Sequence, residues 1–130
     1  MARKIAEGII AAGIEVKIFD INQADRTEVI KEMLDAKAFV FGSSTHDNSL
    51  LPSMAGFLEF VRGLSAKNRI ACAFGSFGLA GVAVRDMEKL IQSSGINLAS
   101  PGLGVKFVPD AAEEKACVAF GREIADKVNA

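Results

Sequence analysis

A short, unbroken apolar run at residues 38–42 is the feature that most restricts the fold of this sequence. The run is too short for a helix, and its aromatic and branched residues favour extended backbone. It stops at Gly42, and mainly hydroxyl, acid and amide residues follow until Pro52, a residue well suited to the first turn of a helix. The pattern predicts a strand, a polar loop and a helix in succession.

The same plan recurs downstream. Residues 69–75 are a second apolar strand, glycine-rich residues 75–81 follow it, and a helical pattern comes next. Two such loops at the carboxyl ends of neighbouring parallel strands border one crevice, which is where open α/β sheets bind ligands.

The remaining segments alternate between helices and strands. Apolar spacing and capping residues predict five helices, at about residues 2–12, 25–35, 52–62, 83–94 and 110–128. Residues 14–20 alternate apolar and polar side chains, which predicts an edge strand with one wet face. Residues 96–108 read as a last strand interrupted by Pro101 and Gly102.

This alternation predicts one α/β domain, residues 1–130, with three α/β/α layers around a parallel sheet. A helix that precedes the edge strand implies a further, central strand before that helix. No such strand is present in these residues, so the predicted sheet lacks its first central member.

Composition excludes several function classes. The chain has 15 basic and 16 acidic residues and a formal charge of −1, so it shows no electrostatic footprint for nucleic acid or an anionic membrane. It has no run of about 20 apolar residues, the length that a membrane-spanning helix needs. We therefore expect a cytoplasmic protein. Cys72 and Cys117 lack metal-ligand spacing; they read as reduced core thiols, with a disulfide or redox pair as the alternative.

The two loops and their surroundings resemble the flavodoxin-like FMN domain of the flavodiiron proteins, or A-type flavoproteins. In that family the domain follows a metallo-β-lactamase-like di-iron domain. The matching segments span nearly the whole chain; they are residues 4–8, 13–17, 25–26, 42–52, 73–78 and 101–110. The resemblance implies a flavodoxin-like fold with sheet order 2-1-3-4-5 and FMN as the cofactor, here without the first strand and its phosphate loop.

By this resemblance, the two loops lie on either side of the isoalloxazine ring. The implied cofactor-binding residues are Ser43, Ser44, Thr45, His46, Asp47, Asn48, Gly75, Ser76, Phe77, Gly78 and Leu79. A flavin ring needs flat or apolar groups over its face and backbone N–H groups at its edge, and glycine lets the backbone come close.

Four positions depart from the family pattern. Ser44 stands where proline is usual and His46 where an aromatic residue is usual, while Phe77 and Leu79 replace tyrosine and tryptophan. These departures imply a less enclosed ring site. His46 is the only histidine, so no catalytic residue and no metal site are expected.

The resemblance implies an FMN-binding electron-transfer module of flavodiiron type, at most one component of a flavin-dependent oxidoreductase. Its partner would be a redox protein or a di-iron domain on another polypeptide. The alternative is a flavin-free structural or oligomerisation module, whose vacant sheet position is filled by a partner's strand. The missing strand also favours a homo-oligomer.

Simpler interpretations of the loops stay open. Ordinary strand-to-helix turn chemistry accounts for residues 43–48 without a ligand, and a plain glycine turn accounts for residues 75–78. His46 is either a surface histidine or a group that stacks on the ring or relays a proton.

Overall fold

The computed structural model describes all 130 residues, and it contains eleven helices and strands. The five helices are α1 (Ala2–Ile10), α2 (Arg26–Asp35), α3 (Pro52–Arg62), α4 (Val82–Ser93) and α5 (Ala111–Asn129). The six strands are β1 (Ala38–Gly42), β2 (Thr45–His46), β3 (Ser49–Leu50), β4 (Ile70–Phe77), β5 (Asn97–Leu98) and β6 (Leu103–Lys106). None of the helices is both long enough and apolar enough to cross a lipid bilayer.

The main sheet is parallel and centred on β4. Strand β1 pairs with one side of β4, from Ala38 opposite Ile70 to Gly42 opposite Phe74. Strands β5 and β6 share the other side, which confirms the predicted interruption of the last strand. The α/β class with a parallel sheet is therefore confirmed.

Helices cover both faces of this sheet. On one face, the larger apolar cluster packs α2, α3 and α4 against Phe39, Phe41, Ala71 and Ala73. On the other face, α1 and α5 pack against Cys72, with Val40 and Phe74 partly buried beside them. Successive residues of a strand point to opposite faces, so β1 and β4 contribute to both clusters.

Side-chain capping fixes two helix starts that the sequence predicts. Asp110 accepts from the Glu113 amide at 2.8 Å, and the Glu113 carboxylate accepts from the Asp110 amide at 2.9 Å, which completes a capping box. Asp25 caps α2 through the amides of Thr27 and Glu28, without the reciprocal bond.

The edge strand predicted at residues 14–20 is wrong. The backbone of residues 14–19 makes no hydrogen bond, and no strand is found there. The apolar–polar alternation is reflected only in side-chain burial, since Ile14 and Val16 are half-buried and the residues next to them are exposed. A strand requires a hydrogen-bonded neighbour, and this segment has none.

Helices α1 and α5 approach closely because two glycines face each other. A Cβ placed on Gly8 would lie 2.1 Å from the Val118 carbonyl oxygen, and one on Gly121 would lie 2.0 Å from the Ile5 carbonyl oxygen. Both distances are shorter than van der Waals contact. The contact therefore tolerates no side chain at either position.

We predict that Gly121→Ala lowers the free energy of unfolding by about 1–3 kcal/mol, because the added methyl group forces the two helices apart. Gly56→Ala on α3 is the matched control, since a Cβ there meets nothing within 4 Å. That change should stabilise the protein by about 0.5–1 kcal/mol through helix propensity. Urea unfolding followed by circular dichroism measures both, and equal effects would contradict the close contact.

Both cysteines are buried, free thiols. Burial raises the pKa of Cys72, partly offset by the Ser100 hydroxyl 3.5 Å from its sulfur, and burial likewise raises the pKa of Cys117. A thiol with a raised pKa stays protonated and unreactive in the folded protein. The core-thiol interpretation is therefore confirmed.

The folded state should lose stability as the pH rises through about 9, the ordinary thiol pKa. Above that pH the unfolded chain releases thiol protons that the folded chain retains. In urea titrations between pH 8 and 10, the Cys72→Ala, Cys117→Ala double variant should lose less stability than the parent. An identical pH dependence in both proteins would contradict the raised pKa values.

Candidate functional site

The two predicted loops meet at the carboxyl edge of the sheet. The amide of Ser43, the first residue after β1, donates to the Phe74 carbonyl at 3.1 Å. A Cβ on Gly75 would lie 2.1 Å from the Ser43 carbonyl oxygen, so β4 passes directly against the first loop. The expectation that both segments border one edge, on adjacent parallel strands, is confirmed.

The second of the two predicted loops, residues 75–81, is only partly a loop. Strand β4 continues to Phe77, and Gly75, Ser76 and Phe77 pair with Gly104, Val105 and Lys106 of β6. The prediction that β4 ends at Gly75 is therefore wrong, because β6 supplies a ladder partner that a local pattern cannot reveal. Only residues 78–81 form the connection to α4.

The first segment contains a hairpin that the sequence analysis did not predict. Strands β2 and β3 pair antiparallel, with Thr45 opposite Leu50 and His46 opposite Ser49. Asp47 and Asn48 form the two-residue turn, both with positive φ, 46° and 59°. Such turns need two residues that tolerate left-handed backbone, and Asp-Asn is a sequence signal for one.

The hairpin is anchored on α4. The Ala83 amide in the first turn of α4 donates to the Thr45 hydroxyl at 3.2 Å, and the Ser49 hydroxyl lies 3.5 Å from an Asp86 carboxylate oxygen. Gly81, the residue before α4, has no side chain with which to cap the helix. Thr45 therefore provides the cap from a distant part of the chain.

Ser43 holds the loop together from within. Its side chain is buried, its hydroxyl donates to the Ser44 carbonyl at 2.8 Å, and the same oxygen accepts from the Leu51 amide at 2.9 Å. The Ser43 hydroxyl thus donates one hydrogen bond and accepts one, both within the protein. Ser44 is half-buried beside it.

His46 and Asp47 lie at the exposed tip of the hairpin. The His46 Nε2 atom is 3.3 Å from a carboxylate oxygen of Asp47, and both side chains are largely open to solvent. A protonated imidazole would form an ion pair here, but exposure keeps the energy of such a pair small.

Exposed apolar side chains rim the same edge. Leu79 is 99 % exposed, Val108 is 85 % exposed and Phe107 is 65 % exposed. Phe107 is joined to the second segment, since its amide donates to the Phe77 carbonyl at 2.7 Å. The sequence analysis missed Phe107 and Val108; the signal was an apolar pair at the end of the last strand, directly before the α5 cap.

Phe77 is turned partly away from the crevice. A Cβ on Gly81 would lie 3.0 Å from its ring, and one on Gly104 would lie 3.5 Å from it, so the ring covers these two glycines. Phe77 is half-buried as a result. A Cβ on Gly78 would lie 3.5 Å from the Phe107 ring, which is an ordinary van der Waals distance.

A cleft of ≈ 380 Å³ lies at the opposite, amino-terminal edge of the sheet. It is lined by Met33, Phe39 and residues 64–69, and the Arg69 guanidinium at its rim donates to the Leu34 carbonyl. It brings together no acid, histidine or cysteine. The carboxyl edge, with its polar hairpin and exposed apolar rim, is the better candidate site.

We predict that Gly75→Ala costs about 1–3 kcal/mol of stability, because the methyl group would collide with the Ser43 carbonyl. Gly78→Ala is the control from the same segment, and it should change stability by less than about 0.5 kcal/mol. Chemical unfolding of both variants measures the difference. A Gly75→Ala variant as stable as the parent would show that the segments lie farther apart.

Comparison with known proteins bears on this site. The family model for flavodoxin matches residues 1–121. A nitric oxide reductase from Moorella thermoacetica is 39 % identical over 129 residues, which cover 98 % of this chain and 32 % of the relative. The chain therefore spans about a third of that relative's length.

Solved structures give the same result. The rubredoxin oxygen:oxidoreductase of Desulfovibrio gigas has a TM-score of 0.94 and 31 % identity, covering 98 % of this chain and 32 % of that one. The flavodiiron protein of Giardia intestinalis has a TM-score of 0.92 and 27 % identity, with 98 % and 32 % covered. An archaeal flavodoxin has a TM-score of 0.88 and 25 % identity, with 99 % and 88 % covered.

The family match covers more than nine-tenths of the chain, and it agrees with the parallel sheet and with the loops at its carboxyl edge. The resemblance stated from the sequence is confirmed. This chain belongs to the flavodoxin family, whose cofactor is FMN, and it corresponds to the flavodoxin-like part of larger flavodiiron proteins.

Proposed function

We propose that this chain is an FMN-binding electron-transfer module of flavodiiron type, which passes electrons through the flavin to a redox partner. The observation that supports this proposal best is the meeting of the Ser43 and Gly75 segments at one edge of the sheet. Bound FMN would supply the electron-carrying chemistry. The protein would hold the ring and set its surroundings.

The residues at this edge suit a flat ring with an apolar face and a polar rim. Leu79 and Phe107 offer exposed apolar surface, and His46 offers a flat ring on the hairpin. The backbone of residues 44–48 and 78–79 would face the polar rim of the flavin. Ser43 and Phe77, which pack inside the protein, would act by fixing the two segments rather than through their own side chains.

The phosphate end of FMN needs a different partner. Helix α1 packs alongside α5 with the same direction, so its first turn lies toward the edge at which α5 begins. The N-cap of α1 makes no side-chain hydrogen bond, which leaves its first N–H groups available. A helix N-terminus favours an anion, so we assign the phosphate to this end of α1.

The electron donor or acceptor would approach the exposed rim. Val108 stays open to solvent at the edge where the ring would lie, beside Leu79 and Phe107, and exposed apolar surface of this kind is typical of a docking site. We propose that the partner is a redox protein or a di-iron domain on another polypeptide. Electron transfer would then require no catalytic side chain in this chain.

One observation favours a second function. The outer edge of β1 has no strand partner, and an unpaired edge promotes association between chains. A flavin-free structural or oligomerisation module would use that edge and leave the loops empty. FMN binding distinguishes the two functions.

We expect the fluorescence of FMN to be quenched when it is titrated with the 130-residue protein. Leu79→Ser should weaken binding by about five- to thirty-fold, because the ring would lose contact with an apolar side chain worth about 1–2 kcal/mol. Leu34→Ser is the matched control, since Leu34 is 63 % exposed on α2, away from the carboxyl edge. It should leave binding unchanged.

The titration has two outcomes that would contradict the proposal. Unchanged FMN fluorescence with tens of micromolar protein would favour the flavin-free module. Equal affinity in the parent and the Leu79→Ser variant would remove this loop from the ring site.

A further inference from the structure

Phe107 has a backbone conformation that a bulky side chain rarely adopts. Its φ is 59°, in the left-handed region, where any residue with a side chain is strained. The side chain is largely exposed, so burial of the ring does not account for the strain. Strain of this kind persists where neighbouring contacts impose it, and it is concentrated at ligand sites. The contacts of Phe107 therefore decide how the strain is interpreted.

The interruption of the last strand determines where Phe107 lies. Between β5 and β6 the chain has four residues opposite two residues of β4. In this extra stretch the Gly102 amide donates to the Glu88 carboxylate at 2.6 Å, which ties it to α4. The two additional residues bring Phe107 level with Gly78; in the register of β5, Val105 would lie there instead.

Phe107 contacts the connection between β4 and α4, residues 78–81. Its amide donates to the Phe77 carbonyl at 2.7 Å, and its ring lies beside Gly78, where a Cβ would be 3.5 Å away. At the other end of the connection, the Phe77 ring covers Gly81. Two phenylalanine rings thus lie against the two glycines of this connection. Glycine has the most backbone freedom of any residue, so these are the positions that most need support.

We infer that Phe107 is a positioning residue for the ring site, and that its side chain holds residues 78–79 in the conformation that receives a flat ligand. The inference rests on the proposed function, because these two residues are the part of the connection that would face the flavin. The strain at position 107 is tolerated because it keeps the ring against Gly78. A connection that is already ordered loses less backbone entropy when a ligand binds.

A purely structural role for the Phe107 ring predicts a different result. Removal of a ring that stabilised the fold by burial would lower the stability of the protein. Here the ring is largely exposed, and glycine at this position would relieve the strain while keeping the backbone bond to Phe77. Truncation should therefore weaken ligand binding without weakening the fold.

Phe107→Gly and Ser65→Gly form a matched pair of variants. Ser65 also has a left-handed φ, 52°, but it lies in the loop after α3, at the opposite edge of the sheet. Both changes relieve the same kind of strain, so neither should lower the urea midpoint of the 130-residue protein. Phe107→Gly should weaken FMN binding by about five- to thirty-fold, the effect of having to order about one more residue on binding. Ser65→Gly should bind FMN as the parent does.

The conservative variant Phe107→Tyr keeps the ring and should keep the parent's affinity for FMN. A measurement without FMN tests the contact with Gly78 directly. NMR relaxation of the isotopically labelled protein gives the amide order parameters of Gly78 and Leu79. These should be about 0.85 in the parent and in Ser65→Gly, as in rigid backbone, and should fall below about 0.6 in Phe107→Gly.

Three results would overturn the inference. These are equal FMN affinity in the parent and in Phe107→Gly, equal order parameters at Gly78 in those two proteins, and a clearly lower urea midpoint for Phe107→Gly than for Ser65→Gly. The last result would assign the ring to the stability of the fold. A parent that bound no FMN, but whose order parameters responded to Phe107→Gly, would contradict the proposed function and support the ordering role of Phe107.

Discussion

The parallel ladder between β1 and β4 is the interaction on which the rest of this structure depends. It joins Ala38–Gly42 to the first five residues of β4, it carries side chains into both apolar clusters, and it ends where the two predicted loops begin. The Ser43 amide adds one further bond to Phe74, beyond the last residue of β1. Because the strands are parallel and in register, Ser43 leaves the sheet beside Gly75, while β4 continues to Phe77 against β6. The geometry of the candidate site is therefore a direct result of strand pairing.

Most of the fold could be predicted because its signals are local. The apolar run before Gly42, the proline at position 52 and the acids at positions 110 and 113 each determine a boundary within a few residues. Alternation of helices with buried strands then permits few arrangements of the sheet. The meeting of the two segments followed from that topology and was confirmed.

What the sequence did not reveal depends on distant partners. Phe77 is a strand residue because β6 pairs with it, and residues 14–19 are not a strand because no strand pairs with them. From the sequence alone, Thr45 is an ordinary loop residue; its role as a helix cap depends on its contact with the first turn of α4. The hairpin turn at Asp47 and Asn48 was an exception, since its signal is local and was overlooked. Phe107 was missed because its position at the rim depends on the end of β6.

The cap that Thr45 places on α4 has a mechanical consequence for ligand recognition. A lid that swings over a ligand must be able to leave its resting position at little cost. Displacing residues 45–50 would uncap α4, which costs about 0.5–2 kcal/mol, and would break the contact between Ser49 and Asp86. A molecule that settles on this hairpin meets a surface already in its final shape. A ligand that bound there would order few additional residues, so little chain entropy would be lost on binding.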